Sequence, residues 1–251
     1  MDLGLHGRVA LVTGATHGIG RDIARAFAAE GAHVALTYRS SADRAADLAG
    51  ELGADRAQAL PYDLADLDGH QDTVRAVVGR WGRLDILVAN AVLRPPRRGP
   101  QDSFEDVPTT RWAPVITGNL AGVIRTVQCA VAEMRHRKWG RIVLVSSHNA
   151  LGGGRGQEVY GAAKAGLHGL AASLAWDVGP DGILVNVVCP GLTATDAVLT
   201  MLPPQVRENE TAQTPTGRLS VPHEVASAVV YLCSAANGNI TGETVSVSGG
   251  R

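Results

Sequence analysis

Six residues of strand-forming sequence, Arg8 to Thr13 (RVALVT), give way without a spacer to GATHGIG and then to RDIARAFAAEG. Ile19, Ile23, Ala26 and Phe27 recur at helical spacing and predict an amphipathic helix after the glycines. Strand, glycine turn and helix in immediate succession predict the opening of a dinucleotide-binding α/β fold. Gly14, Gly18 and Gly20 let the backbone turn tightly and approach a pyrophosphate resting against the helix N-terminus. Glycines alone would equally serve a plain tight turn, and it is the flanking elements that point to the dinucleotide.

The second strand, His33 to Tyr38, runs into Tyr38-Arg39-Ser40-Ser41, and no carboxylate follows before Asp43. An NAD site usually places an acid there to hold the ribose 2′-hydroxyl. Arg39 with Ser40 and Ser41 suits a 2′-phosphate instead, through a guanidinium and two hydroxyls, so NADP(H) is expected in preference to NAD(H). The alternative is that Arg39 is a solvated turn residue. A helix is predicted over about 42–52, then a strand in RAQALPYDLAD, a helix from Asp66 to Trp81 and a continuous apolar strand from Arg83 to Asn90. Asp63 can accept from the adenine amino group, cap the next helix, or do both.

The chemistry concentrates between Ser147 and Lys164. Ser147 ends RIVLVSS, a buried-strand pattern, which places its hydroxyl at the strand's C-terminal edge, where open α/β sheets bind ligands. Tyr160 and Lys164 lie four apart in an Ala/Gly-rich helical run, on one face. An ammonium beside a phenol favours the phenolate and brings its pKa of about 10 toward the working range. The chain holds only two lysines, Lys138 and Lys164, against 21 arginines, so an ordinary surface cation at 164 would more often have been arginine.

Together with the cofactor loop Thr13-Gly14-x3-Gly18-x-Gly20, Asn90-Ala91, Asn119 and NVVCPG from Asn186 to Gly191, these residues resemble the short-chain dehydrogenase/reductase family over nearly the whole chain. The resemblance implies one Rossmann-fold domain over 1–251, a doubly wound parallel sheet of about seven strands with helices on both faces. It implies a catalytic tetrad of Asn119, Ser147, Tyr160 and Lys164. Tyr160 would exchange the proton, Ser147 bond the carbonyl oxygen, Lys164 hold the nicotinamide ribose, and Asn119 anchor a relay water. It adds cofactor contacts at Thr16, His17, Ile19, Leu64, Asn90, Ala91, Pro190, Gly191, Thr193 and Thr195. Two departures stand out: Ala89-Asn90-Ala91-Val92 replaces Asn-Asn-Ala-Gly, and His17 stands where many NADP-using relatives carry Arg.

The activity implied is reduction of a ketone to a secondary alcohol, with motifs similar to 3-oxoacyl-[acyl-carrier-protein] reductases, including the ending NITGETVSVSGG. A polyol or steroid-like alcohol dehydrogenase would use the same groups, and a non-catalytic NADP-binding regulator would show a damaged tetrad. The four-residue Tyr–Lys gap argues against the enoyl-reductase branch. Loops 93–114, 148–158 and a lid over 192–217 would shape the pocket, with His148, Arg155 and Gln157 as candidate substrate contacts. Arg94, Arg97 and Arg98 suit an acidic substrate, a coenzyme A phosphate or a carrier protein, or simply a solvated loop. In relatives the carrier docks on bases before the fifth and sixth strands; Lys138 fits the first position, and Asp181 replaces the second. A helix over 115–138 ends in Arg135, Arg137 and Lys138, cations that complement its C-terminus.

A net charge of −1 gives no general pull toward nucleic acid or membrane. Cys129, Cys189 and Cys233 sit in apolar runs without metal-ligand spacing, as small core residues of a reducing compartment, so no metal and a cytoplasmic location are expected. No signal peptide and no apolar run near the ~18 residues of a membrane span are read. By likeness to the family the chain should form a homotetramer or homodimer.

Overall fold

The computed structural model describes residues 2–94, 98 and 101–251; Arg97 of the predicted arginine cluster lies outside them. Seven strands, β1 (Val9–Val12), β2 (His33–Tyr38), β3 (Ala57–Pro61), β4 (Ile86–Ala89), β5 (Gly140–Val145), β6 (Ile183–Pro190) and β7 (Thr244–Val247), form one sheet in the order β3-β2-β1-β4-β5-β6-β7. Every pairing is parallel. The order reverses direction between β1 and β4, and a crevice at their C-terminal ends is where such sheets take ligands.

Both faces are covered, which is why the central strands read as unbroken apolar runs. Val9 and Leu11 of β1 face one core with Val127 and Leu167, while Ala10 and Val12 face the other with Ile23 and Val229. The second layer is built from α1 (Gly18–Ala29), α2 (Ala42–Leu52) and α10 (Pro222–Leu232). The first is built from α3 (Gly69–Trp81), α5 (Val123–Arg135) and α7 (Glu158–Val178). The expected free cysteines are all buried in these layers.

Several boundaries differ from the sequence reading. The helix expected from Asp66 begins at Gly69, and Asp63 does not cap it: its Oδ1 accepts from the Ala65 amide at 2.9 Å, closing the turn before the helix. The helix expected from 115 starts six residues earlier. It comprises α4 (Thr109–Ile116), a π-helical turn (Thr117–Gly122) and α5 without a break. Pro114 is tolerated because it lies in the second turn, where it forfeits a single backbone bond, and the wider π turn follows at once. The same helix ends at Arg135, not Lys138, and Lys138 adopts φ 49°, a left-handed conformation that stops propagation. This 27-residue helix is long and apolar enough to cross a membrane, yet more than half of its most apolar window is buried inside the fold.

The cations at that terminus also have partners. Arg135 pairs with Asp177 at 2.5 Å and with Asp181, and Arg137 donates to the Gly82 carbonyl at 2.7 Å. The glycine-rich link after Ser147 contains a helical turn, α6 (Asn149–Gly152). Residues 192–217 carry α8 (Asp196–Met201) and α9 (Pro204–Ala212), separated at Leu202 and Pro203.

Candidate active site

The glycine loop between β1 and α1 packs directly against the segment leaving β4. Gly14 has φ 64°, and a Cβ there would stand 2.8 Å from the Ala91 Cα, so no other residue fits. Asn90 locks the contact: its Nδ2 donates to the carbonyls of Thr13 and Gly14 at 3.0 and 2.9 Å. The Thr13 hydroxyl accepts from the amides of Asn90 and Ala91, both at 3.0 Å. Val92, in place of the family's glycine, needs no left-handed backbone, since Lys138 is the sole described non-glycine residue with positive φ. The loop therefore closes without the freedom that glycine would have given.

The first turn of α1 is open to an anion. Its N-cap, His17, makes no capping bond through its side chain and is exposed beside Thr16, whose hydroxyl lies 3.0 Å from Nδ1. Although the residue as a whole is exposed, partial burial of the ring, with the charges of Arg44, Arg94 and Arg21, holds the His17 pKa below its usual value. Uncapped amides ringed by three guanidiniums suit a pyrophosphate. Gly18 and Ile19 form the start of this turn, and Gly20 has no room for a Cβ against Asn90 and the Gly14 carbonyl. Arg44, in the first turn of α2, was missed by sequence reading; its proximity to the loop depends on how β2 pairs with β1.

At the far end, Arg39 and Ser40 are exposed where β2 ends, and Ser41 at the N-cap of α2 makes no capping bond either. Free hydroxyls, free helix amides and a guanidinium fit a phosphate on the ribose. Asp63 is exposed with its second oxygen available beside the largely buried Leu64, as an adenine amine would require. On the nicotinamide side, Pro190 closes β6 and Gly191 is held by the Val247 carbonyl at 3.0 Å. Thr193 spends its proton on the Gly191 carbonyl, leaving lone pairs for a carboxamide NH2. Thr195 accepts from the Val198 amide at 3.3 Å as the N-cap of α8 and keeps its proton for an anion.

Ser147, Tyr160 and Lys164 converge where β5 ends against α7. Tyr160 is the third residue of α7 and Lys164 stands one turn below it, 1% exposed, with Nζ donating to the Val145 carbonyl at 2.8 Å. Burial raises the Tyr160 pKa, and the Arg94 charge and a hydrogen bond with the Ser147 hydroxyl oppose that rise. Burial lowers the Lys164 pKa to about 8, with Arg94 acting in the same direction and Cys189 against it. One of the three ammonium N–H groups is thus taken by the Val145 carbonyl, which leaves two for other partners, and the Arg94 guanidinium adds positive charge near both groups.

Fully buried in the π turn, Asn119 accepts from the Leu93 amide at 2.9 Å and donates to the carbonyls of Leu93 and Val115 at 2.8 and 3.1 Å. Both amide protons are spent, so the side chain is a clip on the chain leaving β4, and a water held by this residue would have to donate to an oxygen. Arg94, the next residue, is exposed. Arg98 reaches Glu158 at 2.5 Å, two residues before Tyr160. Tyr160 also forms one wall of a recess shared with Phe104, Val107, Trp112 and Val159.

Of the candidate substrate contacts, His148 is half-buried, its amide held by the Pro190 carbonyl at 3.0 Å and its buried Nδ1 without a partner among the described residues. Gln157 is half-buried at the N-cap of α7, 3.5 Å from the Asn149 amide nitrogen. Arg155 is exposed on the glycine link. The Asn149 backbone amide donates to the Ser147 hydroxyl at 3.2 Å and its side chain reaches Gln157, which links Gln157 to the end of β5.

A family model described as enoyl-(acyl carrier protein) reductase matches residues 14–251. The acetoacetyl-CoA reductase of Rhizobium meliloti (strain 1021) is 38% identical over 245 residues, 97% of this chain and 98% of that protein. The 3-oxoacyl-[acyl-carrier-protein] reductase FabG of Escherichia coli (strain K12) is 37% identical over 250 residues, 99% of this chain and 98% of the relative. Among solved structures, 7α-hydroxysteroid dehydrogenase complexed with NADH and 7-oxo glycochenodeoxycholic acid matches with a TM-score of 0.92 at 30% identity. That match covers 99% of this chain and 96% of the other.

Proposed function

The chain belongs to the short-chain dehydrogenase/reductase family, and on that premise we propose that it is an NADPH-dependent ketoreductase of 3-oxoacyl thioesters. The observation that carries this is the meeting of Ser147, Tyr160 and buried Lys164 at the C-terminal edge of the sheet, beside a glycine loop fitted to a dinucleotide. When bound, the nicotinamide supplies a hydride to the carbonyl carbon. The chain's own groups manage the oxygen: Ser147 holds it by a hydrogen bond, and Tyr160 delivers the proton from its phenol. Lys164 sits one turn below, where its ammonium holds a ribose hydroxyl, and Asn119 keeps the chain after β4 in place. Burial keeps the phenol protonated at neutral pH, as an acid must be.

Arg94, whose charge reaches both Tyr160 and Lys164, supports an acidic acyl substrate. Carrier docking has less support, because Asp181 stands where the second base would be needed, and its pairing with Arg135 offsets that acid without supplying a free cation. The four-residue spacing of Tyr160 and Lys164 supports carbonyl over enoyl reduction. A second reading, oxidation of a ring alcohol, is favoured by the recess lined by Phe104 and Trp112 and by the hydroxysteroid dehydrogenase likeness. In either case residues 192–217 are the lid of a single domain spanning 1–251. Three buried free thiols support a cytoplasmic location.

Tyr160→Phe is expected to lower NADPH-dependent reduction on the order of a thousandfold with NADPH binding retained. Turnover at the parent level would exclude Tyr160 as the acid, whereas absence of reduction in the parent protein itself would favour the non-catalytic reading. A panel of 3-oxoacyl thioesters and cyclic ketones separates the two substrate classes. Arg39→Asp is expected to shift preference toward NADH by on the order of tenfold, and an unaltered cofactor ratio would remove the 2′-phosphate role.

A further inference from the structure

Tyr160, Lys164 and His168 are spaced by four along α7 and so share one face. That face meets the end of β5, and each of the three makes one stitch there. The Ser147 hydroxyl acts on the Tyr160 phenol to favour phenolate, Lys164 Nζ donates to the Val145 carbonyl, and His168 Nε2 lies 2.9 Å from the Ser146 Oγ. Ser146 gives its single proton to the Lys164 carbonyl at 3.0 Å, so the imidazole must be the donor in the other bond, which fixes the Nε2–H tautomer. Nδ1 then accepts from the Thr244 hydroxyl at 3.4 Å, and Cys189 Sγ stands 3.5 Å from Nε2. The ring is thus wedged between the ends of β5 and β6 and the start of β7. No charged side chain acts on it, and burial lowers its pKa, so it is neutral at physiological pH.

From this arrangement we infer that His168 is a positioning residue, whose bond to Ser146 fixes the end of β5 against α7 and thereby sets the distance from Ser147 to Tyr160. The inference rests on reading Ser147 and Tyr160 as the groups that meet the carbonyl oxygen. Ser146 is peptide-bonded to Ser147, so slack at one passes to the other. A leucine at 168 would fill the space yet leave the Ser146 side chain with the Lys164 carbonyl as its one bond to α7, besides the backbone bond of its amide to the Val188 carbonyl at 2.8 Å. Positional errors of this size are amplified in turnover because the proton must pass along a short, aligned path.

The test is steady-state kinetics across pH for His168→Leu, His168→Gln, Ser146→Ala and the Leu/Ala double variant, with NADPH affinity measured separately. The Leu variant is expected to lose on the order of tenfold in kcat at unchanged KM and unchanged NADPH affinity. Its high-pH limb, where the phenol loses its proton, should move upward as the Ser147 bond that favours phenolate weakens. Glutamine, which offers an N–H at similar reach, should recover most of the loss. Ser146→Ala should reproduce it, and the double variant should be no worse than either single one. Should the Leu variant fold poorly, Ser146→Ala carries the same test from the other side of the bond. Parent-like kcat and pH profile in the Leu variant, glutamine as impaired as leucine, or losses that multiply in the double variant would each overturn the inference. Full activity in Tyr160→Phe would instead remove its premise, so the two failures are distinguishable.

Discussion

Burying an ammonium costs stability, and Lys164 carries that cost without a carboxylate partner among the described residues. Its pKa falls from 10.5 to about 8, so between those values the unfolded chain binds the proton more tightly than the folded one does. Stability contributed at this site therefore rises as pH climbs from about 8 to about 10.5, and the penalty is fully present below 8. Lys164→Met is expected to abolish reduction yet make the cofactor-free protein about 2 kcal/mol more stable at pH 7, after allowing for the lost bond to Val145. Urea melts of both proteins at pH 7 and pH 10 check this; the gap should narrow at the higher pH. Tyr160 and Lys164 were legible in sequence because one helical turn relates them. The charge acting on both was not, because Arg94 lies 66 residues before Tyr160 and only the folded chain brings it near.

Among the elements, the junction of the helix 109–135 with the chain leaving β4 depends on one side chain. Asn119 satisfies both backbone groups of Leu93 and one carbonyl of its own helix. Asn119→Ala would leave the part-buried amide and carbonyl of Leu93 without their partner and is expected to cost about 1 to 3 kcal/mol in chemical melts. Hydrogen exchange at the Leu93 amide should accelerate selectively, and unchanged exchange there would contradict the clip. Sequence reading located Asn119 in a helix and gave it a water to hold. It did not foresee the π turn, because a widened turn is set by what the helix packs against and leaves no period of its own in the residues. The early helix start at Thr109 was hidden for a similar reason: Pro114 reads as a break, but a proline in the second turn removes just one bond.

At the scale of the whole molecule, the helix α7 has two tasks. Its inner face carries the site, and its outer face exposes Ala162, Ala165, Gly169, Ala172 and Trp176 at helical spacing. Trp176 is 87% exposed, an unusual setting for a large aromatic on a monomer, and small neighbours let a second helix approach closely. The protein is expected to elute in light-scattering chromatography at a multiple of the chain mass, and Trp176→Glu to shift it toward the monomer, since a carboxylate buried in that contact is strongly unfavourable. A parent protein that is monomeric at micromolar concentration would refute the oligomer reading. The amino-acid sequence by itself determined the layered α/β class, the glycine loop and the Ser147, Tyr160 and Lys164 constellation, because each is encoded by local period, turn chemistry or spacing along one element. The tertiary structure alone decided that the Lys164 ammonium meets the Val145 carbonyl, that the Arg94 charge acts on Tyr160 and the Arg44 charge on His17, that Asn119 is a clip and that His168 ties β5 to α7. Those are pairings between distant segments, and their energies depend on burial and distance, which a chain acquires only when it closes on itself.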